Sequence, residues 1–302
     1  MGIIDDLKME YRMGGITQRL IFWNVGLFVV PMVVFSILAL FNVGFPPLQW
    51  YLPNNEDWIS LSSNPADLLW KPWSLITYAF LHGGFLHLFF NMVMLFAAGR
   101  FFLTFFTQKQ MFGLYMLAAI FSGLVFILSY NTLPLLSARG QSNMVGASAA
   151  IMAVLIAVAV YAPYYNVRLL LLGNVKLWHI AAFFIISDLI MASVENEGGH
   201  IAHLAGSLLG YLYIVLLKNG TDLSKGVSGI IDFFSNLFKP RKAKPFTKVH
   251  RNTAPPVNRP SPKPKDITQK QIDDILDKIS KSGYDSLTKE EKEFLFRLEN
   301  NK

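Results

Sequence analysis

Four polar side chains within apolar segments of this chain are of the types that acyl-bond hydrolysis requires. Ser148 opens one long apolar segment, and His203 lies in a later one. His87 and Asn91 share an earlier segment. Polar groups are expensive to keep inside a bilayer, so each is a candidate functional residue. Together they would supply a nucleophile, a base and two hydrogen-bond donors for an oxyanion.

The local sequence around these residues favours the same chemistry. His87 and Asn91 are four residues apart, which places them on one helical face, one turn from each other. Ser148 follows a turn containing Gly146, at the start of a predicted helix. Backbone N–H groups are unpaired there, and the positive end of the helix dipole lies beside the serine. An oxyanion formed at Ser148 would therefore meet backbone and side-chain donors together.

His203 is the predicted base for Ser148. Both predicted helices carry small residues near the site. Those near Ser148 are Ala149, Ala150, Ala153 and Ala157, and those near His203 are Ala202, Gly206 and Gly210. Small faces let two helices approach closely in lipid, as a Ser–His hydrogen bond of about 3 Å demands. No acid is evident in the sequence to orient His203, so we predict a dyad rather than a triad. Taken alone, Ser148 could be a helix cap and His203 a packing residue; the combination favours catalysis.

A metal-dependent mechanism has less support. The motif His-Glu-x-x-His is absent, and the chain has no cysteine. His200 and His203 could be ligands, with His82 or His87 as a third, but no carboxylate accompanies them in the sequence. We predict no metal and no cofactor.

The composition is that of a membrane protein, with a mean hydropathy of +0.38 and 14% aromatic residues. Long apolar runs predict six spans, near 19–42, 85–106, 110–130, 146–162, 177–194 and 200–218. Lysine and arginine are concentrated in the N-terminal segment and in the second and fourth connections between spans. Such residues are enriched on the cytoplasmic side of a membrane, which predicts both termini in the cytoplasm. The predicted fold class is an all-α polytopic membrane protein with a six-helix bundle.

Asp188 is the only acid within the predicted spans. An aspartyl mechanism needs two acids that share a proton, so a single one does not suffice. With His179 it could mark a proton path. We favour the interpretation that it is a satisfied buried acid that helps to set helix packing.

The charge is concentrated after the spans. Residues 1–217 carry 9 Lys/Arg and 9 Asp/Glu, whereas residues 218–302 carry 18 and 11, so the tail accounts for the net charge of +7. Residues 1–18 form a predicted cytoplasmic segment before a core at 19–218. Residues 219–239 are predicted to form an amphipathic helix, either on the inner leaflet or packed on the tail.

The rest of the tail divides into a linker and an ordered end. Residues 240–265 hold seven prolines, eight Lys/Arg and no acid, which predicts an extended basic linker attracted to anionic lipid. We expect no nucleic-acid binding, because the linker has a single phenylalanine, Phe246, and so lacks a series of aromatics interleaved with its basic residues. Residues 266–302 predict a small helical hairpin, in which Gly283 ends the first helix and Thr288 with Glu291 forms a capping box. This hairpin would dock an unknown partner or regulate the core.

Three motifs resemble those of the rhomboid intramembrane serine proteases. The stretch WSLITYAFLHGGFLHLFFN, residues 73–91, is similar to the second-span signature of that family. The tripeptide GAS at 146–148 resembles the nucleophile motif. The stretch AHLAG at 202–206, followed by Gly210, resembles the sixth-span base motif. The motifs occur in the family order, and the resemblance covers about residues 19–218.

The resemblance implies roles for individual residues. Ser148 would be the nucleophile, assisted by its own amide, and His203 would be the base. His87 and Asn91 would stabilise the oxyanion. Ala149 stands where the family usually has glycine; alanine is small, so we expect activity to survive.

The family also implies substrates. These would be single-pass transmembrane proteins, cut near small residues where a helix is easily unwound. A bacterial inner membrane is the simplest location. Two alternatives stay open: a non-catalytic member of the same fold that binds transmembrane clients, and a transporter that uses Asp188 and the histidines, although no inverted repeats are detectable.

Overall fold

The computed structural model describes residues 2–41, 58–169, 173–237 and 264–299. Residues 42–57 of the predicted core and 240–263 of the predicted linker lie outside the described residues. The chain divides into two compact units, Met1–Lys239 and Pro240–Lys302. The helices of the first unit are α1 (Ile3–Met13), α2 (Ile16–Leu40), α3 (Ser74–Thr77), α4 (Phe85–Phe105), α5 (Gln108–Thr132), α6 (Pro134–Ser137), α7 (Ser148–Tyr161), α8 (Leu177–Met191), α9 (Glu197–Lys218) and α10 (Ser224–Leu237).

Helices occupy all six regions in which spans are predicted. Four of them, α2, α4, α5 and α9, are long and apolar enough to cross a membrane. Helices α7 and α8 are apolar but have only 14 and 15 residues. At 1.5 Å per residue they are about 21 and 23 Å long, shorter than a hydrocarbon core of roughly 30 Å. The chain is thus a mostly helical membrane protein with four candidate spans among its described residues, and the number six stays a prediction.

Helix α7 forms the centre of the first unit. Every residue from Ala149 through Ala159 is apolar, and all of them are buried. A helix that is apolar all round is stable only when other elements surround it. Helices α4, α5, α8 and α9 all contact α7. Ser148 is the first residue of this central helix and is only partly buried.

Close packing of α7 and α9 confirms the prediction from their small residues. A Cβ atom on Gly206 would collide with the carbonyl oxygen of Ala149, and one on Gly210 would collide with that of Ala153. The two backbones are in direct contact along the stretch that includes Ser148 and His203. Glycine is required on α9 because any side chain would push the helices apart.

Two short ladders supplement the helices, which the all-α prediction did not include. They are antiparallel pairs, β1 (Leu61–Ser62) with β2 (Asn143–Met144) and β3 (Asn166–Leu169) with β4 (Gly173–Lys176). Ser63 extends the first ladder: its hydroxyl accepts from the backbone N–H of Ser142, and its carbonyl accepts from the side chain of Asn131. These hydrogen bonds connect the segment before α3 to the segment that leads into Ser148.

Helix α10 lies in the region where an amphipathic helix is predicted, and its N-terminal end packs on the core. The carboxylate of Asp222 accepts hydrogen bonds from Gln110, Tyr213 and Ser224. A Cβ atom on Gly113 of α5 would meet the side chain of Ser224 at 2.5 Å. This end of α10 therefore contacts α5, while its placement relative to a membrane stays a prediction.

The second unit contains α11 (Pro264–Ser282) and α12 (Lys289–Glu299). The predicted helix end is confirmed: Gly283 has a φ of 78°, and its N–H donates to Ile279. The predicted capping box is also present, since the Thr288 N–H donates to Glu291 and the Glu291 N–H donates to the Thr288 hydroxyl. Lys278 pairs with Glu291 at 2.9 Å and connects the two helices.

Candidate active site

The turn before Ser148 depends on glycine. Gly146 has a φ of 136°, and its N–H donates to the carbonyl of Tyr78 at 2.9 Å. A Cβ atom on Gly146 would lie 3.0 Å from Nε2 of His87. Both the backbone angle and the available space therefore select glycine. Helix α7 begins at Ser148, two residues after this glycine. The backbone N–H groups of its first turn therefore have no hydrogen-bond acceptor within the helix.

Ser148 and His203 are in hydrogen-bond contact. The Ser148 Oγ lies 2.6 Å from Nε2 of His203, although the two residues are 55 positions apart in the chain. When Nε2 is unprotonated, the serine hydroxyl donates to it, which is the geometry of an activated nucleophile. The close contact between α7 and α9 makes this distance attainable.

His87 and Asn91 lie on α4, beside the serine. The N–H of Gly83 donates to Nδ1 of His87 at 3.3 Å, so the proton of the neutral ring is on Nε2. That nitrogen faces the turn at Gly146. The amide of Asn91 donates one hydrogen to the carbonyl of His87 at 2.8 Å.

All four residues line one cavity of ≈ 490 Å³. Its volume is in the usual range for small-ligand sites. The rest of the lining includes Tyr78, Phe126, Tyr130, Asn143, Met144, Asn196, Gly199 and Ala202. The cavity therefore brings together the four residues predicted from the sequence and surrounds them with aromatic, polar and small residues.

An acid lies beside His203, so the prediction that none is placed there was wrong. Oδ1 of Asp188 is 2.9 Å from Nδ1 of His203 and 2.7 Å from Nδ1 of His200. Asp188 is three residues before the end of α8, and His200 is three residues after the start of α9. A short connection joins the two helices, so these positions lie level with each other. In the sequence, the equal distance of Asp188 and His200 from that connection indicates that they are level, but it does not determine which side chains meet.

A rhomboid domain model matches residues 69–220, which include all four site residues and Asp188. The chain belongs to the rhomboid family. A second family model matches residues 263–300 and is described as a family of unknown function (DUF6576). Among curated proteins, none matches the chain.

The acid of this rhomboid-family protein also bears on metal binding. Asp188, His200 and His203 offer three ligand atoms within 4.8 Å of one another, so a carboxylate does accompany the histidines. The separations of 2.7 and 2.9 Å are hydrogen-bond lengths. Ligand atoms about 2.1 Å from a tetrahedral zinc ion lie roughly 3.4 Å apart. The cluster is therefore arranged as a hydrogen-bonded group, and a metal would require it to open.

In this rhomboid-family protein, His82 and His179 are not members of this cluster. His82 is fully buried, and its ring centroid is 5.1 Å from that of His87. Burial, with a smaller effect of His87, lowers the pKa of His82 to about 3, so its ring is neutral. The ring of His179 contacts that of Trp178 at an interplanar angle of 57° near the start of α8, roughly 14 Å along the helix from Asp188. Asp188 contacts the histidines of α9 rather than forming the alternative path with His179.

Proposed function

We propose that the protein is an intramembrane serine endopeptidase. The observation that carries this proposal is the 2.6 Å contact between the Ser148 hydroxyl and Nε2 of His203. Family membership supports the same conclusion, since this family is typified by serine proteases. The cavity supports it further, because Ser148 and His203 line it together with two candidate donors, His87 and Asn91.

The reaction would proceed through an acyl-enzyme. As the Ser148 oxygen attacks the substrate carbonyl, Nε2 of His203 accepts the hydroxyl proton. The peptide C–N bond then breaks, and His203 returns that proton to the leaving amine. In the second half, a water molecule gives a proton to His203 and attacks the ester, and the proton returns to the serine oxygen as the acid product leaves.

Three donors would stabilise the oxyanion. The His87 ring carries its proton on Nε2, which faces the turn before the serine. Asn91 has one amide hydrogen beyond the one that it donates to His87. The backbone N–H of Ser148 lies in the first turn of α7. Preorganised donors of this kind are usually the largest single contribution to acyl transfer.

The substrates proposed are single-pass transmembrane proteins, cut near small residues. A regular helix keeps its carbonyls in hydrogen bonds, so the cleaved segment must unwind before Ser148 can reach it. We further propose a bacterial inner membrane with both termini cytoplasmic, contacts of the basic tail with anionic lipid, and a partner for residues 266–302.

A fluorophosphonate probe tests the proposal on the purified full-length chain. We expect labelling of the wild type, loss of labelling in Ser148→Ala and His203→Ala, and parallel loss of cleavage of a transmembrane reporter. Ser122→Ala is the matched control, because Ser122 is fully buried in α5 and its hydroxyl has no hydrogen-bond partner among the described residues. This variant should label like the wild type.

The rival function, a non-catalytic binder of transmembrane clients, predicts a different result. A folded wild type that binds a transmembrane helix but neither labels nor cleaves would favour the rival and overturn the protease. The contact between Ser148 and His203 favours catalysis, because binding alone gives no reason to keep a hydroxyl and an imidazole at 2.6 Å.

A further inference from the structure

Asp188 and His200 form a polar cluster behind the Ser148–His203 pair. The side chain of Asp188 is 7% exposed, and its Oδ1 contacts Nδ1 of both histidines. Its other oxygen, Oδ2, is buried and has no hydrogen-bond partner among the described residues. A buried carboxylate is costly unless its contacts offset the loss of water. Both of its contacts are to histidines, and one of these touches the serine.

The position of one proton links this cluster to Ser148. A neutral imidazole carries its proton on one ring nitrogen and accepts at the other. His203 can accept from the Ser148 hydroxyl at Nε2 only when the proton is on Nδ1. An ionised carboxylate is an acceptor only, so Oδ1 of Asp188 at 2.9 Å selects that tautomer. It also fixes the rotation of the ring, since both nitrogens are then engaged.

His200 holds the carboxylate in place. It precedes His203 by three residues on α9, so the two rings project from the same face of the helix. Its Nδ1 lies 2.7 Å from the same oxygen that His203 contacts. Two donors from α9 thus converge on one acceptor from α8. This arrangement orients Oδ1 toward His203 without a contact between His200 and the serine.

We propose that Asp188 is a positioning residue that holds His203 in the tautomer able to accept the serine proton, and that His200 orients Asp188. The site is then a Ser148–His203–Asp188 triad with an additional histidine, instead of the dyad predicted from the sequence. When His203 becomes an imidazolium, Asp188 also provides a nearby opposite charge in surroundings that screen it weakly. This inference rests on the proposed protease function.

The test compares three full-length variants in a cleavage assay. Asp188→Leu removes the acceptor, and we expect kcat to fall about 10²- to 10⁴-fold with KM within twofold, as when the acid of a triad is neutralised. Asp188→Asn keeps the size and one acceptor oxygen but not the charge. Its kcat should fall at least about tenfold. This variant tests the proposal if Asp188→Leu does not fold. Asp222→Asn is the control, since that carboxylate bonds core helices without contacting His203; its kcat should stay within twofold.

Nitrogen-15 NMR of the histidine rings supplies a readout that a merely structural role would not move. We expect His203, assigned by the signal lost in His203→Gln, to carry its proton on Nδ1 in the wild type. In Asp188→Leu the proton should shift to Nε2. A wild-type ring protonated on Nε2, or a folded Asp188→Leu with kcat within threefold of the wild type, would overturn the inference. A wild type that does not cleave refutes the proposed function instead, and the tautomer measurement still decides whether Asp188 positions His203.

Discussion

Gly206 of α9 packs directly against the backbone carbonyl of Ala149, the residue after the candidate nucleophile. A side chain at position 206 would collide with that carbonyl oxygen. The contact lies one turn beyond His203 along α9, so it sets the separation of the two helices where the serine and the histidine meet. A packing contact and a catalytic distance are therefore coupled.

Gly206→Ala should lower both stability and activity. Forcing a methyl group into this contact should cost about 1–3 kcal/mol, as overpacking typically does. It should also lengthen the Ser148–His203 contact and reduce probe labelling at least about tenfold, since a 1 Å displacement can cost about 10²-fold. Thermal unfolding and labelling of the purified chain measure the two effects. Gly229→Ala on α10 is the control, because a Cβ atom there meets nothing within 4 Å. Equal behaviour of the two variants would contradict the coupling.

Gly146→Ala should inactivate the protein through the turn before Ser148. A left-handed φ on a residue with a side chain costs of order 1–3 kcal/mol, and the new methyl would press on the His87 ring. Gly140→Ala separates the two causes: Gly140 also has a positive φ of 82°, but it faces open space. Both variants should lose stability, whereas only Gly146→Ala should lose labelling. Full labelling of a folded Gly146→Ala would refute the role of this turn.

Removal of an oxyanion donor should reduce turnover without removing the nucleophile. His87→Ala and Asn91→Ala are each expected to lower kcat about 10²- to 10³-fold, the usual effect of one donor. Phe89→Ala is a suitable control, because Phe89 lies between them on α4 with its side chain 50% exposed. Steady-state cleavage of a transmembrane reporter measures the effect. If neither variant changes kcat by more than threefold, the donors lie elsewhere.

Acid should weaken the junction between α9 and α10. Burial opposes the charged form of Asp222, but hydrogen bonds from Ser224, Gln110 and Tyr213 outweigh it, and the pKa falls below its ordinary value of 3.8. A carboxylate with a lowered pKa stabilises the fold above pH 3.8, and this stabilisation is lost as the pH falls through the folded-state pKa. Thermal midpoints measured from pH 6 down to pH 3 should fall more steeply for the wild type than for Asp222→Asn. Parallel curves would rule out this contribution.

The sequence by itself identified the four residues that meet at the cavity. Ser148, His203, His87 and Asn91 are recognisable because a polar side chain in an apolar run has few neutral explanations, and because their flanking motifs resemble one family. The helices were predictable for a similar reason, since long apolar runs leave the backbone little choice but to satisfy its own hydrogen bonds. The small residues of α7 and α9 even indicated which helices touch.

Only the tertiary structure decided which side chain contacts Nδ1 of His203. Asp188 lies on a different helix from His200 and His203, and its partners depend on how α8 and α9 align around their connection. The same holds for the pairing of Leu61 with Met144, because a two-residue ladder leaves no periodic pattern in a sequence. Periodicity reports the face of a single helix, whereas the contact of one oxygen with two rings depends on the relative position of two helices, which no local pattern encodes.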